Sequence, residues 1–371
     1  MLDNGRISSI QLTMLLAMVE APTAVLLVPS LIAEQAGPDA WISVLVPMSL
    51  YGLAVALVCI ALARRFPFQV FTEYLPKVIG WFPGKLLALA YSLVFIHITS
   101  LILAECSRFI GTAFLRETPN LPIYLVILSA VIYGTYLGIE VIARQNELVF
   151  PAFLFSILMT IILVANNIDL NNLRPVLAKG VMPIIKGSYS AAIWRGEVFL
   201  LLMLFPYLNQ KNEAFNSAVS MILIMMSAGT LIMVTTIGVF GPLVTAHLVY
   251  PYYSLARYIS LAKILERMEL YLVIFWIAGV IVKLAVFLHS SCIAAASTLN
   301  LKNYRLTIIP VALITIALCE VLYSSDYLRL IIFFKQVWPF YGCTIELIIP
   351  SLILLIAVIL GKGKKSGEGT K

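Results

Sequence analysis

Four charged side chains, Glu20, Arg195, Glu197 and Lys283, stand inside stretches that are otherwise apolar enough to sit in lipid. A charge at the bilayer centre costs roughly 2.5 kcal/mol or more on insertion scales, so each needs an internal partner or a polar ligand. Lys283 lies near the middle of WIAGVIVKLAVFLHSSC, too deep to snorkel comfortably to either interface. It can meet a ligand carboxylate, replace a sodium ion as a fixed positive charge, or close a structural ion pair with Glu20 or Glu197. Arg195 and Glu197 are two positions apart, so on an unbroken helix they point in different directions and cannot pair side by side. They therefore face a ligand or each hold a neighbouring helix. Gly196 between them lets the backbone open, and the stretch Met182 to Leu208 is expected to be a broken helix facing an internal cavity.

Around these charges stand residues suited to lining a pocket. Phe287 is one turn beyond Lys283 and shares its face. Trp194 and Tyr189 are able to cover a ligand, or simply to pack. Pro22, Thr23, Ala24 and Val25 follow an expected break in the first apolar run, where freed backbone groups and small side chains suit a small polar ligand. Ser290 and Ser291 form a possible sodium site, although serine in a membrane helix usually bonds its own i−4 carbonyl. His97 reads as a satisfied core histidine. Glu105, Glu320 and Glu346 lie toward the ends of their runs and read as interface residues.

No catalytic constellation accompanies them. His97, His247 and His289 are scattered, and the chain holds no HExxH, nucleophile elbow or phosphate-cradling GxxxxGK. The five cysteines show neither CxxC nor metal-ligand spacing and read as packing residues. No enzyme, cofactor or metal is expected.

The elements that must position these groups follow from composition. The chain has 371 residues, 61% hydrophobic and 12% charged, with a mean hydropathy of +1.01. A polytopic, all-α integral membrane protein is implied, without a soluble domain. Most of the net charge of +7 lies in short loops and the tail, so nucleic acid is not implied. The N-terminus lacks a basic region followed by a cleavage site, and its first apolar segment is expected to be retained.

Ten runs approach the roughly 20 residues that span a bilayer. They cover 8–33, 41–63, 84–106, 121–140, 144–166, 182–208, 214–240, 269–298, 306–324 and 337–361, forming a single membrane domain over 1–371. An even count puts both termini on one side. Of the Lys and Arg in the loops and at the ends of the runs, 13 fall on that side and ten on the other, and the first loops sharpen the bias, which favours cytoplasmic termini. Residues 64–83 read as a cytoplasmic helix lying in the interface, and 241–268 as its outer counterpart, covering an entrance or serving as an inert cap. Glu20, Pro22 and Pro29 interrupt the first run. The interrupted runs, first and sixth, each open one set of five, the pattern of a five-plus-five inverted repeat with its site at the midplane.

Several strings resemble one family, the B subunits of endospore germinant receptors in the amino acid/polyamine/organocation transporter superfamily. They are AGPDAWISVLV (36–46), RETP (116–119), DLNNLRPVLAKG (169–180), GEVFLLLMLFPYL (196–208) and LERMELYLVIFWI (265–277), spread over nearly the whole chain in the family's order. The resemblance implies ten transmembrane helices in the LeuT/APC-like arrangement and a nutrient pocket, an amino acid its expected occupant, between the broken first and sixth helices and the third and eighth. It implies assembly with an A subunit and a lipoprotein C subunit in the inner membrane of a spore. Tyr91 and Phe95, four apart on the third run, match the family's pocket wall, and Lys283 and Phe287 match pocket-lining positions. Pro22 and Ala24 stand where relatives often have glycines, and Thr99 and Leu101 where some carry charges. A nutrient sensor and an amino-acid symporter driven by protons or sodium are the competing functions, with a scaffold as the third.

Overall fold

A computed structural model describes residues 2–261, 268–323 and 327–363; the start of the 265–277 string and Lys364, Lys365 and Lys371 of the tail lie outside them. The chain is almost wholly helical. The helices are α1 (Ser9–Ala36), α2 (Ala40–Ser43), α3 (Ser49–Ala63), α4 (Phe71–Ile79), α5 (Trp81–Ala113), α6 (Asn120–Leu137), α7 (Ile139–Val164), α8 (Met182–Gly196) and α9 (Leu201–Leu204). They continue with α10 (Ala214–Phe240), α11 (Pro242–His247), α12 (Pro251–Leu261), α13 (Met268–Thr298), α14 (Ile308–Tyr323), α15 (Tyr327–Ile332), α16 (Trp338–Cys343) and α17 (Ile349–Ile359). Among the described residues, nine continuous helical stretches are long and apolar enough to cross a membrane. The first runs for 55 residues, Ser9–Ala63, and contains both α1 and α3, with a tight turn at Gly37–Asp39 between them.

α1 begins with a capping box: the Ser8 hydroxyl accepts the Gln11 N–H at 3.1 Å, and the Gln11 side chain accepts the Ser8 N–H at 2.9 Å. It ends where Gly37 turns to a φ of +57°, a conformation that suits glycine. Between these ends the helix is continuous through Pro22 and Pro29, so the break expected in the first run is absent. Neighbouring helices can support a proline turn inside a membrane bundle. Here Gly279 brings α13 close against Met18 and Pro22, and the Trp276 indole N–H donates to the Pro22 carbonyl at 2.8 Å.

The sixth run also departs from the expected form. After Gly196 the chain overwinds into 3₁₀ turns at Glu197–Leu200 and Phe205–Tyr207, with α9 between, and stays helical throughout. The interruption is thus a tightening rather than an unwinding, of the kind that often marks strain or function. α1 and α8 form the axis of the bundle, and α1 packs on α7, α8, α10, α11 and α13.

Both described ends of the chain meet at one end of the bundle. Ile7 hydrogen-bonds the backbone of Tyr207 and Asn209, and Arg65 donates to the Lys362 carbonyl at 2.7 Å. The short helix α4 lies at that end, and Gly84 lets α5 pass directly over the Pro76 backbone. α11 and α12 lie within the stretch expected at the opposite interface. Two helices outrun their apolar runs: α5 continues to Ala113, and the last stretch begins at Arg329.

Asp3 latches the N-terminal segment. Its carboxylate accepts the Gly5 and Ile139 N–H groups and lies 2.9 Å from His289 Nε2. Burial raises the Asp3 carboxyl, but the hydrogen bond and charge of His289, with those two N–H groups, outweigh it and hold the group down at about 2. A carboxyl held below its unfolded value adds stability above that value and loses it as pH falls through the folded one. The latch is therefore expected to weaken between about pH 4 and pH 2, with Asp3→Asn flattening that acid slope in thermal unfolding of the purified protein.

Candidate functional site

The charges singled out from sequence converge in a closed, buried network at the centre of the bundle. Lys283 on α13 donates to both carboxylate oxygens of Glu197, at 2.9 and 2.7 Å, and to the Thr23 hydroxyl on α1 at 2.6 Å. The Trp194 indole on α8 donates to the same Thr23 oxygen at 3.1 Å. Arg195 turns the other way, its Nε 2.8 Å from Glu20 Oε1. Its Nη1 donates to the Ile222 carbonyl at 3.2 Å and the Ser49 hydroxyl at 3.4 Å. Neither ion pair exposes more than 3% of a side chain, so each charge depends on its partner. Successive helical positions aim Arg195 and Glu197 at different neighbours, and each holds an adjacent helix.

The remaining predicted residues divide. Phe287 lies below Lys283, its ring centroid 5.9 Å from the ammonium. Phe95 stacks on Phe199 at 5.6 Å, and Tyr91 donates to the Ile345 carbonyl at 2.6 Å. Ser291 bonds its own helix at Phe287 and approaches Thr99 at 3.4 Å, whereas the buried Ser290 hydroxyl has no hydrogen-bond partner among the described residues.

Ala24 and Val25 are not brought to the Lys283 side. Because α1 stays helical, they turn toward α7 and α10 and line a separate cavity with Glu20. Gly196 does not open the backbone: its φ is −69°, and its missing side chain makes room for the Glu346 carboxylate and the Tyr51 ring. Tyr189 is half exposed and packs edge-on against Phe340, away from the centre. His97 is a satisfied core histidine, between the Tyr341 and Tyr323 hydroxyls at 3.1 and 2.7 Å.

Two residues read as interfacial belong to the interior. Glu346 is fully buried and accepts the Tyr51 hydroxyl at 3.0 Å; Glu105 is 3% exposed. Both lie near enough to Lys283 and Glu197 to feel their charge. Their depth follows from the longer helices that carry them, and a charge inside an apolar run was the available signal. The arrangement offers fixed charges and hydrogen-bond groups for polar recognition.

Solved structures share this architecture. The chain aligns over 96% of its length with MhsT in complex with L-phenylalanine, covering 99% of that chain at a TM-score of 0.58 and 14% identity. It aligns over 94% with the substrate-bound outward-open state of a Na+-coupled sialic acid symporter, covering 90% of that chain at 0.63 and 12%. The fold and the buried charges define a multi-pass membrane protein of the LeuT-like transporter fold. Within that class the chain belongs to the spore germination protein family, whose model matches residues 6–326. It is 25% identical over 373 residues to spore germination protein KB of Bacillus subtilis (strain 168), covering 99% of both chains. It is 24% identical over 348 residues to spore germination protein XB of Bacillus anthracis, covering 92% of this chain and 94% of that one.

Proposed function

We propose that the protein is the nutrient-sensing subunit of a spore germinant receptor. It binds a small germinant, an amino acid in our reading, in a mid-membrane pocket and signals to partner subunits to start germination. The observation that carries this reading is the Thr23–Lys283–Glu197 cluster, which joins α1, the sixth run and α13 through one ammonium. An amino acid carries an ammonium and a carboxylate of its own, and can exchange with these groups one for one. Ligand contacts are assigned to Pro22, Thr23, Tyr91, Phe95, Trp194, Glu197, Lys283 and Phe287, with Ser290 and Ser291 as the ion site; Arg195 and Gly196, expected among them, instead hold Glu20 and make room for Glu346.

Reading Ser9–Ala63 as two crossings gives ten spans, a five-plus-five repeat and both termini on the cytoplasmic or spore-core side of the inner membrane. The A subunit and the lipoprotein C subunit are the proposed partners, and a ligand drives the switch only by its differential affinity for two states. Spores carrying only this receptor with Lys283→Ala or Glu197→Ala are expected to lose the nutrient response even after it is normalised to the amount of receptor in the membrane, which the stranded charge is expected to lower. Normal dose dependence in both variants overturns the pocket assignment.

A second reading, an amino-acid symporter, draws support from the fold shared with a Na+-coupled symporter and with a protein solved with L-phenylalanine. Concentrative uptake of labelled amino acid by the isolated chain in proteoliposomes decides for it; its absence decides for the sensor.

A further inference from the structure

On the face of α1 opposite Lys283, a cavity of about 30 Å³ lies among α1, α7 and α10, walled by Ala21, Ala24, Val25, Met225 and Gly229. One polar group of α1 reaches it. Glu20 Oε1 accepts the Arg195 Nε–H, while its buried Oε2 has no hydrogen-bond partner among the described residues. A buried carboxylate oxygen left unpaired is costly, and a donor placed there is favoured. Beside the cavity, and sharing Leu154, Ile157 and Ala228 with it, a groove of about 380 Å³ runs between α7 and α10. Its other walls include Leu158, Leu223 and Leu231, which are 48%, 51% and 44% exposed and face outward from the bundle.

We propose that this is a second binding site, entered sideways from the lipid and distinct from the nutrient pocket, for a short aliphatic primary alcohol. The cavity has room for about one small polar group, since a water molecule's share of liquid volume is about 30 Å³. The hydroxyl therefore enters and donates to Glu20 Oε2, and the alkyl chain lies in the groove. A neutral donor fits better than an ammonium, because Arg195 already balances the Glu20 charge and a third buried charge would need a partner. A bound alcohol competes for the electron density of a carboxylate that also holds Arg195, so occupancy loosens the pairing of α1 with α8.

The protein in lipid nanodiscs, photolabelled with a diazirine-bearing primary alkanol and mapped by mass spectrometry, tests this. Adducts are expected on Val25, Leu154 and Met225, competed by 1-hexanol and not by its methyl ether, which lacks the donor. Ala228→Leu, at the shared and only half-buried mouth, is expected to reduce those adducts about tenfold, with the smaller Ala228→Val acting in the same direction. Either variant counts only if its unfolding midpoint matches the wild type. Labelling that persists in both variants, or that the ether competes as well as the alcohol, overturns the site.

Discussion

Lys283→Met is expected to destabilise the purified protein by about 3–5 kcal/mol, the usual cost of removing one partner from a buried ion pair. The methionine fills much of the space but leaves the Glu197 carboxylate without the donor that both its oxygens now share, and Thr23 without its shortest hydrogen bond. Glu197→Gln alone strands the ammonium in the same way. The double variant removes both charges, and a buried pair replaced as a unit is often close to neutral, so most of the stability is expected to return. The nutrient response is not expected to return with it. Thermal unfolding in nanodiscs reads the first quantity and spore dose–response the second. Losses that simply add in the double variant would show that the two residues are uncoupled, and a restored response would remove them from the ligand site.

Arg195→Lys is expected to fail nearly as badly as Arg195→Met, although it keeps the charge. The guanidinium reaches Glu20 through Nε and the Ile222 carbonyl and Ser49 through Nη1, so it spans three elements with one planar group. A single ammonium on a flexible stem cannot satisfy both ends of that span. Gly52 sharpens the point, since any side chain there would collide with the Arg195 stem, which shows how closely α3 is moulded to it. Arg195→Met should cost about 3–5 kcal/mol by stranding Glu20, and the lysine variant should recover only a minor part. Wild-type unfolding midpoints in Arg195→Lys would mean that charge alone, without the fork, holds α1 to α8.

How much of this was legible in the sequence depends on which physical term dominates. The helices were legible because a bilayer demands long apolar runs. The ends of those runs were not, because Ser107 and Arg108 lower the hydropathy of α5 without stopping the helix, and Glu105 was misread as interfacial for that reason. Glu20, Arg195, Glu197 and Lys283 stood out because charge in lipid is expensive. Of their partnerships, Lys283 with Glu197 was among the alternatives, but Arg195 with Glu20 depends on which face of α8 meets α1, and periodicity carries no such information. The break at Pro22 was predicted from a local rule that tertiary packing overrode, through the close approach of Gly279 and the Trp276 indole. With it went the expectation that Ala24 and Val25 would join Pro22 and Thr23 in one pocket, since a continuous helix turns them to another side.

The pairings form a closed circuit: α8 to α1 through Arg195 and Glu20, the following turn to α13 through Glu197 and Lys283, and α13 back to α1 through Lys283 and Thr23. Three rods pinned pairwise make a truss, and a triangle has no soft shear mode. None of the three helices can slide along another without releasing two of the pins at once. A molecule that unfastens the Lys283 corner therefore changes the mechanics of the whole frame from rigid to hinged, and a small solute would be felt at both ends of the bundle.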